Sequence, residues 1–436
     1  MSGLRVAVIG AGIIGLATAF HLIRGDTRVI LIDQDPDDEK ASFGNAGGIA
    51  VTEVFPASAP GVWRRVPRWL LDPLGPVALR PAHTMKLFPW LVHFVRSARE
   101  SEVWRISRAL AALNSHADKD LGTMLGEIGL ESHIHHNGAL SLYESEDGYR
   151  RDGAEWACKR ANGIFAQDLT ASQARQMEPA LGALVHRAVF TPQWSQVSDP
   201  HRVALSLREW LLRRGVALCV GELRDIARHP SSGLILEVSS NERLHADRVV
   251  VAAGAWSGAI VRRLGDRVLL ESERGYTATL PSPGVQLKRE LIFAERKFVA
   301  TPLSCGLRVG GAAEFAGLRA PFNFERSKAL LKLARRYLPQ LDVGGVKYWA
   351  GHRPTTPDSL PVIGPATHWP EVFYAFGHGH LGLTQAATTG RLISDLIFRR
   401  PPATDMAPYR IQRFDHSSEN RNAAPYLPVH RRAHVR

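Results

Sequence analysis

Gly10, Gly12 and Gly15 stand at G-x-G-x-x-G spacing directly after the apolar run of Val6, Ala7, Val8 and Ile9, and no other feature of the 436 residues constrains the fold as much. The β-branched residues suit a strand buried on both faces, and the residues after Gly12 carry the apolar periodicity of a helix over 14–24. Each glycine has its own physical reason: Gly10 permits a tight turn, Gly12 lets backbone approach a pyrophosphate, and Gly15 brings the helix against the sheet. The helix aims its first amides, with Ile13 and Ile14, at that pyrophosphate. A second apolar run over 29–32 ends in Asp33, followed by Gln34, at the distance where a carboxylate meets ribose hydroxyls. Strand, turn, helix, strand and acid in register predict a dinucleotide site, without separating FAD from NAD.

The length and a 45% hydrophobic content predict a globular enzyme of two or three domains, or one dinucleotide domain interrupted by another. No apolar stretch approaches the roughly twenty residues of a membrane span, so neither a signal peptide nor a transmembrane helix is expected. Cys158, Cys219 and Cys305 are far apart with no C-x-x-C pair, which argues against disulfides and metal and for a reducing, cytoplasmic setting.

The formal charge of +12 is concentrated in two places. Arg431, Arg432 and Arg436 belong to a polar tail over 416–436 that reads as flexible. The segment 63–99 interleaves Arg64, Arg65, Arg68, Lys86, Arg96 and Arg99 with Trp63, Trp69, Phe88, Trp90 and Phe94. Such a segment can lie on anionic lipid at the inner face of the cytoplasmic membrane, or be a helical subdomain with core aromatics and solvated arginines. No helix-turn-helix, zinc finger or RNA-recognition motif is present, which argues against nucleic acid.

Along the chain, 104–126 has helical periodicity, 138–145 reads as a strand, and 200–215 is a helix leading into the strand VALCV. The run LHADRVVVAAGAWS then returns to the strand-and-turn grammar of the N-terminus. That return predicts an α/β, Rossmann-like dinucleotide-binding domain that is discontinuous, over 1–60, 195–270 and 350–415. A second domain with helical inserts is expected over 61–194 and 271–349, containing two strands in FVATPLSCGLRVGGAAEF and an amphipathic helix in RSKALLKLARRYLP.

Two further glycine loops follow apolar strands, Ala253-Gly254-Ala255-Trp256 and Gly377-His378-Gly379-His380. In the second, Leu381, Gly382 and Leu383 open a helix whose dipole would stabilise the negative charge of a reduced flavin, which moves the reading from dinucleotide to FAD.

With these motifs in order (GAGIIGLATAF, SFGNAGGI at 42–49, AAGAWS, RGYT at 274–277, LRVGGAAEF, GHRPTTPDSLPVIG at 351–364 and FGHGHLGLT) the chain resembles the FAD-dependent D-amino-acid oxidoreductase family from residue 5 to about 414. The likeness is greatest to bacterial D-amino-acid and D-hydroxyproline dehydrogenases. It implies a flavin domain beside an antiparallel-sheet substrate domain, and oxidative deamination of a D-amino acid to an imino acid and 2-oxo acid by hydride transfer from Cα to flavin N5. Electrons would pass to a quinone or another electron-transfer partner.

The resemblance places Gly10, Gly12 and Gly15 at the pyrophosphate, Asp33 at the ribose, and Ser42, Asn45, Ala46 and Gly47 along the diphosphate and flavin edge. It puts Gly254 and Trp256 at the adenine side and Gly379, His380, Leu381, Gly382, Leu383 and Thr384 around the pyrimidine end. Related sarcosine oxidases attach flavin through a cysteine near the place of Gly351, so FAD is expected to be noncovalent. Arg353 is the expected anchor of the substrate carboxylate, because a guanidinium engages both oxygens; a structural salt bridge is the alternative. Tyr276 could add a hydrogen bond or be a core tyrosine. His378 and His380 could accept a proton or orient the amine, or merely pack. His352 replaces an expected apolar residue and implies a changed pocket polarity. Competing readings are a D-hydroxyproline dehydrogenase or opine-oxidase-type subunit acting on a secondary amine, a nicotinamide-linked dehydrogenase, and a noncatalytic FAD electron-relay subunit.

Overall fold

The computed structural model describes residues 3–37, 40–61 and 75–415. Strand Leu4–Ile9 lies beside Thr27–Asp33 and Arg248–Val251, all parallel, in a six-stranded sheet that continues through Ala217–Val220 on one side and Val372–Phe376, then Val362–Pro365, on the other. Only Val362–Pro365 is antiparallel to its neighbour. Both faces of this sheet are covered, so Val6, Val8 and Val250 join one apolar cluster while Ala7, Ile9, Val249 and Val251 join another. That is why these strands read as unbroken apolar runs instead of alternating ones. Strand order reverses about Leu4–Ile9: the next strand in sequence pairs on one side, and the strand contributed by 248–251 pairs on the other. The turn after Ile9 therefore opens at the switch point where α/β sheets bind ligands.

Helix Ile13–Leu22 and helix Gly382–Ile397 pack backbone to backbone on the same face of that sheet. A Cβ at Gly390 would overlap the carbonyl of Ala17, so the glycine is what permits the approach. Ser394 Oγ adds a hydrogen bond to the His21 carbonyl at 3.2 Å.

A second, nine-stranded sheet runs in the order Lys347–Thr355, Glu271–Leu280, Gly306–Phe315, Phe298–Leu303, Glu290–Phe293, Ala139–Tyr143, Arg187–Thr191 and Gln167–Thr170, with Val77–Leu79 added to Gly306–Phe315. It is mainly antiparallel; the exceptions are Glu290–Phe293 with Ala139–Tyr143, and Val77–Leu79 with Gly306–Phe315. Helix Glu325–Tyr337 packs Leu330, Leu331, Ala334 and Tyr337 on one face. The expected boundary at residue 350 falls inside Lys347–Thr355, which belongs to this sheet, because its whole length is hydrogen-bonded to Glu271–Leu280.

The helical stretch expected over 104–126 is two helices, Glu100–Asn114 and Ala117–Glu127. Of the basic aromatic segment, helix Thr84–Ser97 is described, whereas Trp63, Arg64, Arg65, Arg68 and Trp69 lie outside the described residues, as does the basic tail. Trp90 is buried in that helix but Phe88 is 63% exposed, so neither simple reading of its aromatics holds throughout. No helix among the described residues is long and apolar enough to cross a membrane.

Candidate functional site

A single cavity of about 1140 Å³ runs from the Gly10 turn, past the 42–48 loop, to the concave face of the nine-stranded sheet. It exceeds the roughly 300–1,000 Å³ of ordinary small-ligand pockets, which is room for a dinucleotide and a second small molecule.

At the sheet switch point Gly10 has φ +106°, and a Cβ there would stand 2.5 Å from the Ala252 carbonyl oxygen. Gly12 is different: a Cβ would meet nothing within 4 Å, so this glycine leaves open space in front of the helix. No side chain caps that helix, and its first amides face the cavity with Ile13 and Ile14. Gly15 lies behind, where a Cβ would overlap the Gly10 carbonyl. Asp33 reaches the cavity with both oxygens engaged: Oδ2 accepts from the Ala11 amide at 2.7 Å, and Oδ1 from the Asp35 amide at 3.0 Å and the Lys40 ammonium at 2.7 Å. Gln34, Ser42, Asn45, Ala46, Gly254 and Trp256 also line the cavity. Gly47 does not; at φ +92° it forms the turn that Asn45 Oδ1 holds through the Gly47 amide at 2.7 Å.

The structure fits a flavin dinucleotide on its own terms. Ser42 Oγ, Thr277 Oγ1, Trp349 Nε1 and His378 Nδ1 are buried on cavity-lining residues without a hydrogen-bond partner among the described residues. Such orphans are costly unless a ligand satisfies them. Gly44 and Gly351 are both pressed by the Trp349 indole, where a Cβ would overlap the ring, so the position where sarcosine oxidases carry a cysteine is here the floor for a tryptophan.

The 377–383 loop forms one wall. His378, Gly379, His380, Gly382 and Leu383 line the cavity, whereas Leu381 is turned into the core and Thr384 is spent on the Ala50 amide, which its Oγ1 accepts at 3.0 Å. His378 shares its Nε2 with Thr389 Oγ1 at 3.0 Å, and burial pushes its pKa down to about 3. His380 opens only onto the cavity: protein encloses it, and desolvation lowers its pKa against the opposing pull of Glu273 and Glu53. Both imidazoles are therefore neutral near pH 7. So is His352, which burial and then Arg274 push down to about 4 and whose Nδ1 meets Ser272 Oγ at 2.7 Å.

Period-two geometry decides which residues of the nine-stranded sheet face the cavity. Glu273, Gly275 and Thr277 do, and Arg353 on the paired strand stands opposite Glu273. The Arg353 guanidinium lies across Gly275, where a Cβ would overlap it, and donates from Nη1 to Glu273 Oε1 at 2.9 Å and to the Ala312 carbonyl at 3.1 Å. The salt bridge and the cavity placement thus coexist: one edge of the guanidinium is fixed while the side chain remains 25% exposed. Tyr276 requires a correction. It has the opposite parity, is fully buried, and its hydroxyl is spent between the Glu314 carboxylate, to which it donates, and the Asn323 amide, which donates to it at 3.1 Å. It does not line the cavity and cannot reach a substrate there.

Several residues in and around the cavity carry no sequence signature. Arg308 donates to the carbonyls of Phe43 at 3.1 Å and Asn45 at 2.7 Å, clamping the 42–48 loop onto the second sheet. Lys159 pairs with Glu53 at 2.8 Å and Glu155 at 2.9 Å, and Glu290 lines the cavity with no cation within ion-pair distance among the described residues. Helix Thr84–Ser97 roofs the site with Leu87, Trp90, Leu91 and Phe94, anchored by Trp90 Nε1 donating to the Thr355 carbonyl at 3.1 Å.

The family described as FAD dependent oxidoreductase matches residues 5–396. The chain is 33% identical over 419 residues to a D-amino-acid oxidase of Bradyrhizobium diazoefficiens, covering 94% of this chain and 99% of that protein. Among solved structures, a glycine oxidase from Geobacillus kaustophilus superposes with a TM-score of 0.70 at 25% identity, over 94% of this chain and 99% of that one. An L-proline dehydrogenase from P. horikoshii reaches a TM-score of 0.72 at 16% identity, over 95% and 98%, a likeness of fold alone.

Proposed function

Because the chain belongs to the FAD-dependent oxidoreductase family, we propose that it oxidises the Cα–N bond of a D-amino acid to the imino acid, which water hydrolyses to a 2-oxo acid and ammonia. The observation that carries this reading is Arg353: a half-fixed guanidinium facing the His378–Leu383 wall across a cavity large enough for cofactor and substrate together. Bound FAD supplies the two-electron acceptor.

The chain's own residues would bind and orient. Glu273 holds one edge of Arg353, so the other edge meets the carboxylate without reorganising. His380, kept neutral by its surroundings, can accept a hydrogen bond from the amine and hold it in the uncharged form that loses electrons. The apolar roof of Leu87, Trp90, Leu91 and Phe94 limits water over the reacting carbon.

For the electron acceptor, the outer face of helix Thr84–Ser97 supports a quinone reached at an anionic membrane surface. Met85 and Phe88 are 86% and 63% exposed there, beside exposed Lys86, Arg96 and Arg99. Sedimentation with anionic liposomes at low salt, absent with neutral ones, is the expected result.

The test is an anaerobic screen of flavin bleaching with D- and L-alanine, D-proline and cis-4-hydroxy-D-proline, followed by turnover with a dye acceptor. Bleaching by D-alanine alone supports a primary D-amine. A response confined to D-proline or its hydroxy derivative would move the assignment to secondary amines. In Arg353→Ala the Michaelis constant should rise about a hundredfold or more, as loss of a charge-assisted pair implies, with the flavin spectrum unchanged; normal kinetics would remove Arg353 from the site.

A further inference from the structure

Beyond the flavin and Arg353 the cavity continues into an inner lobe. Its wall includes Trp156, Lys159, Trp194, Glu53 and Glu290. Lys159 is the base of the lobe: its side chain is 3% exposed, its ammonium stands between Glu53 and Glu155, and it lies 4.9 Å over the Trp156 ring. The carboxylates stand nearer the open space, with Glu53 27% exposed. One ammonium shared by two carboxylates leaves one negative charge. Neighbouring pairs do not cancel it, because Arg353 is matched by Glu273, and Lys297 by Asp152 at 3.9 Å. Glu290 adds no charge near neutral pH, since burial pushes its carboxyl up to about 8.

We propose that Glu53, held over the buried Lys159, is a specificity determinant that selects amino acids whose side chain ends in a cation. The proposal rests on the amino-acid-oxidising reading above and names its substrate class. Three observations support the placement. The fields of Glu53 and Lys159 act on the His380 ring together with those of Glu273 and Arg353, so both ion pairs flank the same point in the site. Glu53 is also positioned by the cofactor side of the molecule: its carbonyl accepts from Asn114 Nδ2 at 3.1 Å, and Asn114 Oδ1 accepts from Gln385 Nε2 at 2.9 Å on helix Gly382–Ile397. Finally, the lobe is walled by Trp156 and Trp194, which suit the methylene stem and the charge of a lysine- or arginine-like side chain. Lys159 is no rival anchor for a second substrate carboxylate, because it is sealed beneath the acids it already serves.

Binding can be read without turnover. The probes are 6-aminohexanoate, which has a carboxylate and a terminal ammonium but no α-amine to oxidise, hexanoate and adipate, each titrated into the FAD-loaded protein and followed by the flavin absorbance. We expect 6-aminohexanoate to bind at least about tenfold tighter than hexanoate, the discrimination one desolvated charge pair can supply. The preference should vanish in Glu53→Gln, where Lys159 keeps Glu155, and return at least partly in Glu53→Asp, with the flavin spectrum constant throughout. In turnover, D-lysine should outrun D-norleucine in wild type, and Glu53→Gln should raise the Michaelis constant for D-lysine about tenfold while changing that for D-norleucine less than about twofold. Equal binding of hexanoate, tighter binding of adipate, or a preference unchanged in Glu53→Gln would overturn the proposal. Failure to oxidise any amino acid would instead overturn the functional reading, and the binding ratio would still be measured.

Discussion

Glu290 is a carboxyl group 2% exposed to solvent, whose Oε2 accepts from Trp194 Nε1 at 3.2 Å and lies so near Gly48 that any Cβ there would overlap it. Burial raises its pKa, and the negative charge of Glu53 raises it further, to about 8. Below the ordinary value of 4.5 the group is protonated in both folded and unfolded chains and costs nothing. Between that value and about 8 the unfolded chain releases its proton while the folded one retains it, so stability falls as pH rises, and above about 8 the full penalty is present. Glu290→Gln removes the titration. Its melting temperature relative to wild type should therefore rise steadily from pH 5 to pH 8, at up to ~1.4 kcal/mol per pH unit before solvent relaxation weakens it; a constant difference across that range would show that Glu290 does not titrate there. The same residue shows why part of the site is hidden in sequence. ELIF reads as a buried strand, and a glutamate at its first position carries no mark of whether it ends in water or in a cavity.

At the scale of elements, glycine and arginine set how the layers approach. Gly390 has no signature in TTGRLIS, yet a Cβ there would overlap backbone of Ala17. Gly390→Ala should push the C-terminal helix off Ile13–Leu22 and cost about 1–3 kcal/mol, the usual range for overpacking, read as a lower melting temperature together with weaker FAD retention. Arg308 joins the two sheets by its bonds to the Phe43 and Asn45 carbonyls. Arg308→Ala should cost about 1.5–3 kcal/mol for those charge-assisted bonds and appear as faster FAD release on dilution, with the antiparallel core intact by circular dichroism. Loop 42–47 was legible as a cofactor loop. Its clamp was not, because the partners are more than 260 residues apart.

Across the molecule, the cofactor cavity lies between the six-stranded and nine-stranded sheets, so bound FAD contacts both cores. Binding to the folded state alone must raise stability by mass action, about 2.7 kcal/mol at a hundredfold excess of free FAD over its dissociation constant. Calorimetry with and without added FAD should show the transition moving upward as free FAD rises; a concentration-independent transition would mean that FAD does not report on the folded chain. What the sequence determined by itself was local. Strand, glycine turn, helix and acid recur within about thirty residues, because Gly10 and Gly12 are demanded by backbone geometry that neighbours in the chain define. The 377–383 loop was legible for the same reason. Tertiary structure decided the rest. Only strand pairing sets the parity that sends Arg353 into the cavity and Tyr276 away from it, and only packing brings Glu53, Lys159 and Glu290 to one lobe. A side chain's charge and reach are written in its residue type, but the dielectric around it and the partner beside it come from segments a hundred or more residues away.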